Sequence, residues 1–457
     1  MRSSPPTETP GTGLRQNATW KTGRIWLGGT IVAIVAIVSA ASGLTSEPVF
    51  PDETAYVTQS YYFDLMIRGE RDDWAWVEYH AYDLPPLPKY LFGAALRALG
   101  RPVSDRLTAG RWFRDIEQEL VPRESVVVAR WPVVFFAVMG CLGLYCLGTL
   151  GVDVSAGLAA GLLLAINPLY RLHAHRAMSD VVAESLVIAA LATGLAGWMR
   201  LMRGRAGGGL GWMVVAGVAA GLAPLAKLSG LLAGMVLAAW LVLGWVLRPQ
   251  HAVAWVGAGL VVSLLAVGTF VVLNPYVTAR PTGEPPRLMM GAAAEEESPL
   301  ARLERMIRHR AEVSQHAKRA FPEYALWTPV EKLAAVVVQG LGRFGPLGPA
   351  DHDSRVPYPR FAWSRDWGAA PWGLAVVAGM VVLVRRGRMQ WRSGEPATGW
   401  AIVVMALVVF GVVTSFLPLA WDRYYLPLQP AAALLGGAAL TEAARRITPL
   451  PRGADRD

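Results

Sequence analysis

Four stretches of the chain, Ile25–Ser46, Trp131–Val152, Leu228–Leu247 and Ala252–Ala279, contain no Asp, Glu, Lys or Arg. Each reaches the ~20 residues that an α-helix needs to cross the hydrocarbon core of a bilayer. Adding shorter apolar runs of the same character predicts ten helices, at 25–45, 127–150, 154–169, 181–199, 210–225, 228–247, 252–273, 367–384, 400–420 and 424–442. Two longer intervals, 47–124 and 274–366, interrupt this pattern. In the first, Thr54–Arg68 mixes Tyr56, Val57, Tyr61, Phe63, Leu65 and Met66 with polar residues, and Tyr90–Leu99 is a short apolar helix. In the second, Ser298-Pro299 opens a charged helix with proline at its first position. Thr328-Pro329-Val330-Glu331 has the Thr-x-x-Glu spacing of a capping box. The predicted fold is an all-α polytopic membrane protein of about ten transmembrane helices, with amphipathic helices roofing one face.

Composition agrees: 53% of residues are hydrophobic and only 17% charged, which disfavours a soluble enzyme, a disordered chain and a fibre alike. The net charge of +9 is explained by position and needs no nucleic-acid partner. Basic residues gather in the amino-terminal tail (Arg2, Arg15, Lys21, Arg24), in the 200–209 turn, at Arg248, at Arg385–Arg392 and in the carboxy-terminal tail. These segments share one side of the predicted topology. By the positive-inside rule that side is cytoplasmic, and 47–124 and 274–366 face outward. The organisation read from this is a cytoplasmic tail at 1–24, a multi-span unit at 25–442 and a second cytoplasmic tail at 443–457. Ser39–Gly43 has the small residues of a signal-peptidase site. The apolar run before it is longer than the ~7–15 residues of a signal-peptide core, so it is read as a span. Cys141 and Cys146 lie in one apolar run and read as small core residues.

The remaining ionisable residues collect at the outer rim: Asp52 and Glu53 after the first span, Arg176, Asp180 and Glu184 at the third-to-fourth handover, Lys227 in a tight turn, and Asp422-Arg423-Tyr424-Tyr425 before the last helix. Ionisable groups at membrane depth are costly and by default mark a function. Asp52-Glu53 alone would also suit the start of a helix. Two adjacent carboxylates can equally supply a general base or ligands to a divalent metal ion.

Several short motifs, in order, resemble those of the GT-C fold glycosyltransferases that use lipid-linked sugars, the class of the protein O-mannosyltransferases and aminoarabinose transferases. The Asp52-Glu53 pair resembles the acidic motif after the family's first span. Asp83-Leu84-Pro85-Pro86-Leu87-Pro88-Lys89 is similar to its Asp-x-His-Pro-Pro-Leu-x-Lys stretch, with Leu84 in place of His. Asn167-Pro168 through Arg176 and Asp180 resembles its third-to-fourth-span turn. Gly221 through Gly230 resembles its Gly…Thr-Lys turn, with Ala226 in place of Thr, and Arg423-Tyr424-Tyr425-Leu426-Pro427 resembles its late Arg-Tyr-x-Leu-Pro. The resemblance implies a membrane glycosyltransferase that moves a sugar from a polyprenyl-phosphate donor to a lipid, glycan or protein acceptor, on the outer face of the cytoplasmic membrane. On that reading Asp52 is the base and Glu53 positions the acceptor or a metal. Lys227 and Arg423 bind the donor phosphate with Arg176 as a further candidate, and Asp83, Lys89, Asp180, Glu184 and Tyr424 support them. Asp83 with Lys89, and Arg176 with Asp180, would also serve as structural ion pairs. His309 and His316 stand two helical turns apart, too far for joint metal ligation. A transporter or flippase for an anionic or lipid-linked substrate is the competing class. Transporters commonly carry internal repeats and midplane charges, and neither is visible here.

Overall fold

The computed structural model describes residues 12–114, 120–284, 297–348 and 366–447, with side chains from residue 22 onward except at 113–114. The extreme parts of both expected cytoplasmic tails, including Arg2, Arg452 and Arg456, lie outside the described residues. Among the described residues every regular element is helical, apart from one isolated antiparallel bridge, Ala325–Leu419. In chain order the helices are α1 (Thr12–Ala41), α2 (Pro51–Thr58), α3 (Tyr62–Arg68), α4 (Tyr79–Asp83), α5 (Pro86–Ala98), α6 (Arg106–Arg114) and α7 (Arg123–Gly151). Then come α8 (Val154–Ala165), α9 (Pro168–Ala174), α10 (Asp180–Met202), α11 (Ala206–Ala226), α12 (Leu231–Leu247) and α13 (Ala252–Val272). The chain closes with α14 (Pro275–Thr278), α15 (Pro299–Ala320), α16 (Pro329–Ala335), α17 (Ala369–Arg392), α18 (Thr398–Phe416) and α19 (Leu428–Ile447).

Among the described residues, eight helices are long and apolar enough to cross a membrane, and nine if α8 and α9 count as one bent span. The chain is a multi-pass membrane protein. The expected helix at 154–169 ends early, because Pro168 has no N–H and biases Asn167 toward extended backbone. Asn167 takes φ −62°, ψ 123°, and its side chain caps α9 by accepting from the Tyr170 N–H. The axis bends there by 61°. The expected helix at 424–442 also starts later: Asp422–Tyr425 is a 3₁₀ turn, and the α-helix begins at Leu428, after Pro427. With Glu442, Arg445 and Arg446 near its end, α19 is not among the eight. It is instead an interior helix, buried at every position from Leu428 to Ala438, as expected of an element apolar on all sides.

Small residues let these helices approach closely, the usual device where lipid competes with apolar contacts. A side chain at Gly148 would meet the Gly157 Cα at 2.7 Å, so α7 and α8 touch through glycine backbones. Two buried indoles tie α10, α12 and α18: Trp198 donates to the Trp240 carbonyl (2.7 Å), and Trp240 donates to the Ala401 carbonyl (2.6 Å). The short helices α2–α6 and α14–α16 gather at one end of the bundle. Tyr61, Tyr62, Trp74, Trp76, Tyr276 and Met306 share a small apolar core there. Trp74 donates to the Thr282 carbonyl and Arg302 to the Tyr276 carbonyl, which pins the 47–124 segment to the start of the 274–348 segment. At the other end Arg445 pairs with Asp153 (2.8 Å), and Arg248 reaches the Gly394 carbonyl (2.9 Å). The roof is therefore held at one end and the arginine-rich turns at the other.

Candidate active site

The site is assembled where the start of α2, the α9–α10 turn, the α11–α12 turn and the start of the 422–425 turn meet beneath the roof. Helix α2 begins at Pro51, with its first turn supplied by Asp52 and Glu53. Consecutive helical residues diverge by about 100° (3.6 per turn), so the two neighbouring carboxylates face different surroundings.

Glu53 is fully buried and turned inward. Arg130 grips it as a fork, Nε on Oε1 and a terminal nitrogen on Oε2, both at 2.8 Å. The Ala177 N–H donates to Oε1 (2.6 Å) and the Phe50 N–H to Oε2 (2.8 Å). Arg130 in turn donates to the carbonyls of Leu44 (2.6 Å), Glu47 (3.0 Å) and Pro48 (3.0 Å). This buried pair, with its lone pairs and protons occupied, clamps α1's exit, α2, α7 and the α9–α10 turn together. Arg130 did not figure among the candidates read from the sequence. The signal was a single arginine following Val126-Val127-Val128-Ala129 and directly preceding the uncharged run at Trp131.

Asp52 stays at the surface of the cluster, its side chain 39% exposed, and accepts from Arg423 at 2.5 Å. Arg423 lies over the rings of Trp421 (5.1 Å) and Tyr424 (5.7 Å). Burial disfavours its charge, but Asp52 outweighs that and raises its pKa above the usual range. Lys227 follows the end of α11 in extended backbone, where the helix stops two residues past Pro224. Its Nζ is 2.5 Å from Asp180 Oδ1 and 5.8 Å from the centre of the Tyr424 ring. Both cations keep about a quarter of their side-chain surface exposed. His173 Nε2 lies 3.8 Å from Asp422 Oδ2 beside this cluster.

The other expected residues fall around it. Arg176 pairs with Glu47 (3.3 Å) and lies over the Phe50 ring (4.5 Å), rather than pairing with Asp180. Glu184, one turn after Asp180 on α10, lies deeper and borders a small apolar cavity with Leu144, Val187, Leu232, Met405 and Pro430. Asp83 and Lys89 do not pair directly. Asp83 accepts from His309 (3.2 Å) with Arg310 at 3.8 Å, while Lys89 donates to the His80 carbonyl and lies over the Tyr62 ring (4.6 Å). Burial lowers the Lys89 pKa well below its ordinary value. Burial also pushes Asp83 upward, but the His309 hydrogen bond and the Arg310 charge prevail and hold it below the usual carboxylate range. Among the described residues, no group of three His, Cys, Asp or Glu side chains is arranged to hold a metal ion.

A family model described as dolichyl-phosphate-mannose-protein mannosyltransferase matches residues 54–279. In structure, the chain is similar to ArnT from Cupriavidus metallidurans bound to undecaprenyl phosphate, with TM-score 0.52 and 18% identity over 93% of this chain. The apo state of the same protein matches with TM-score 0.52 and 17% identity, also over 93% of this chain. This chain covers 61% of the ArnT chain in either case. The oligosaccharyltransferase of Archaeoglobus fulgidus, tethered to an acceptor peptide, follows at TM-score 0.49 and 12% identity, over 94% of this chain and 51% of that one. No curated protein matches the sequence. The helical arrangement is that of the GT-C membrane enzymes, as the ordered motifs led one to expect.

Proposed function

We propose that this chain is a membrane glycosyltransferase that moves a sugar from a polyprenyl-phosphate donor to an acceptor on the outer face of the cytoplasmic membrane. The observation that carries this reading is the meeting of two partly exposed cations, Lys227 and Arg423, with Asp52 and Asp180 under a roof of amphipathic helices. An acceptor nucleophile attacks the anomeric carbon, and the bond from that carbon to the phosphate oxygen breaks. The polyprenyl phosphate leaves with the bonding pair, and the acceptor's proton passes to Asp52. Arg423 offers a fork and Lys227 a point charge to the departing phosphate. As the phosphate engages Arg423, the Asp52–Arg423 bond is exchanged for an Arg423–phosphate bond, which leaves Asp52 free to accept a proton. Glu53 and Arg130 act by fixing α2 so that Asp52 projects into the site. Asp180 orients Lys227, and Tyr424 lines the space between the two cations.

Undecaprenyl phosphate binding in nanodiscs tests the phosphate assignment. A hydrogen bond to a charged group contributes about 1.5–3 kcal/mol, the lower end applying to partly exposed side chains. Lys227→Ala and Arg423→Ala should therefore each raise the lipid Kd about tenfold or more. Arg423→Lys should recover only part of the loss, because it keeps the charge without the fork. Wild-type affinity in both alanine variants would place the phosphate elsewhere, with Arg176 the next residue to change.

Sidedness has its own test. In a cysteine-free background, Glu284→Cys should react with a membrane-impermeant maleimide on intact cells, and Gly207→Cys only after permeabilisation. The reverse pattern would invert the topology.

A further inference from the structure

Helix α9 carries one more titratable group into the cluster, and the transfer step leaves it without a task. His173 is 1% exposed, and neither ring nitrogen has a hydrogen-bond partner among the described residues. Buried nitrogens left unbonded are costly, so what surrounds the ring decides what it does. Asp422 of the 422–425 turn is nearest, its Oδ2 3.8 Å from Nε2, too far for a hydrogen bond. The other oxygen of Asp422 accepts from the Arg423 N–H at 2.6 Å, so this carboxylate sets the start of the turn that carries Arg423 and Tyr424. Helix α10 brings Asp180 toward the ring, with Glu184 one turn deeper, while the α9–α10 turn brings Arg176 and the α11–α12 turn Lys227. On α7, Arg130 is bound to Glu53. Helix α8 has no ionisable residue, and the charged residues of α1 lie at its opposite end. Among the described residues, Asp52 pairs with Arg423 and Asp180 with Lys227, but no lysine or arginine side chain stands within pairing distance of Asp422. His173 takes that place.

We infer that His173 is a positioning residue that takes up a proton when a lipid phosphate binds, and so couples phosphate affinity to pH. The inference rests on Lys227 and Arg423 as the phosphate site. As both cations turn to the phosphate, Asp52 and Asp180 lose their partners while further negative charge arrives. The ring then lies among carboxylates whose cations are engaged elsewhere, and this field draws a proton onto it. The neutral imidazole keeps its N–H, and the lone pair of its second nitrogen binds a proton from bulk water. No bond to carbon or phosphorus changes. Asp422, with 12% of its side chain exposed, is the way in. The imidazolium has two N–H donors, so Nε2–H can donate to Asp422 Oδ2, closing the gap to a charge-assisted bond of ~2.7–2.9 Å. With both oxygens engaged, Asp422 holds the turn, and with it Arg423, against the phosphate.

Calorimetric titration of the full chain in detergent with undecaprenyl phosphate, in two buffers of different ionisation enthalpy, counts the protons taken up per lipid bound. The lipid phosphate itself titrates near neutral pH. The readout is therefore the difference between wild type and His173→Asn, which keeps a donor toward Asp422 but cannot be charged. Wild type should take up more protons than His173→Asn, by up to about one per lipid. Binding that takes up a proton weakens as pH rises, so the wild-type Kd should climb by up to about tenfold more per pH unit than the variant's. Asp422→Asn is the second variant and serves if His173→Asn does not fold. Its amide oxygen still accepts from the Arg423 N–H, but the charge that holds the imidazolium is gone, so the extra uptake should vanish here too. A purely structural role for His173 would raise Kd by one factor at every pH and leave the proton count at the wild-type value. That result, or full uptake surviving in either variant, overturns the inference and leaves the phosphate site standing. No binding of the lipid by wild type would overturn the phosphate site itself, and this inference with it.

Discussion

Asp52→Asn is expected to reduce sugar transfer by about 10²–10⁴-fold, the usual contribution of a positioned general base, while expression and donor binding stay close to wild type. Asparagine keeps the size of the side chain and still offers an oxygen to Arg423, but it accepts no proton from the acceptor. The local fold should tolerate the change, since Asp52 is 39% exposed and the inward clamp on α2 is made by Glu53. Single-turnover rates with saturating donor are the appropriate measurement, because they separate chemistry from binding. A loss below tenfold would remove Asp52 from the role of base.

The second large effect is on stability. Arg130 is buried, and its guanidinium serves Glu53 and three backbone carbonyls. Removing one partner of a buried pair strands the other charge, at a cost of about 3–5 kcal/mol. Arg130→Ala, which leaves the Glu53 carboxylate uncompensated, should therefore lower thermal stability in detergent and the yield of folded protein. Glu53→Gln should do the same to a smaller degree, since its amide still accepts one of the Arg130 bonds and loses the other. The double variant Glu53→Leu, Arg130→Met should be less damaged than Arg130→Ala, because it removes both charges together. A thermal-shift series reads all three. An Arg130→Ala protein as stable as wild type would show that the clamp is dispensable.

Much of the fold is legible in the sequence because a bilayer imposes length and polarity together. Runs such as Leu228–Leu247 contain no charge over the span length, and each becomes a helix. The two departures arise at prolines. Pro168 turned an apparent span into the bent pair α8–α9, and Pro427 delayed the start of α19. Hydropathy averages over such positions, whereas backbone geometry does not. Burial was also hidden: α19 reads as one more apolar helix, yet it is buried at every position from Leu428 to Ala438.

At the site, the sequence displays residue types but not partners. Asp52 and Arg423 are separated by 371 positions, and nothing local pairs them. Asp83 and Lys89 lie close in sequence, yet each finds other partners, because α4 ends at Asp83 and Lys89 belongs to the separate helix α5. Likewise Asp52 and Glu53 are neighbours whose environments differ completely, since a helix directs them apart. Arg130 was the least visible of all, because an arginine at the border of an apolar run is usually an interfacial anchor.

The measurement that bears most directly on the central claim is release of polyprenyl phosphate from a purified, reconstituted system. Wild-type and Asp52→Asn proteins in proteoliposomes would be supplied with defined polyprenyl-phosphate sugars and a membrane-extract acceptor pool, and the lipid products followed by mass spectrometry. The account predicts that wild type converts at least one donor to free polyprenyl phosphate, with its sugar appearing on an acceptor, and that Asp52→Asn does so at least a hundredfold more slowly, within the ~10²–10⁴-fold range for a general base. Equal conversion by the two proteins, or no conversion by wild type of any donor that it binds, would contradict it.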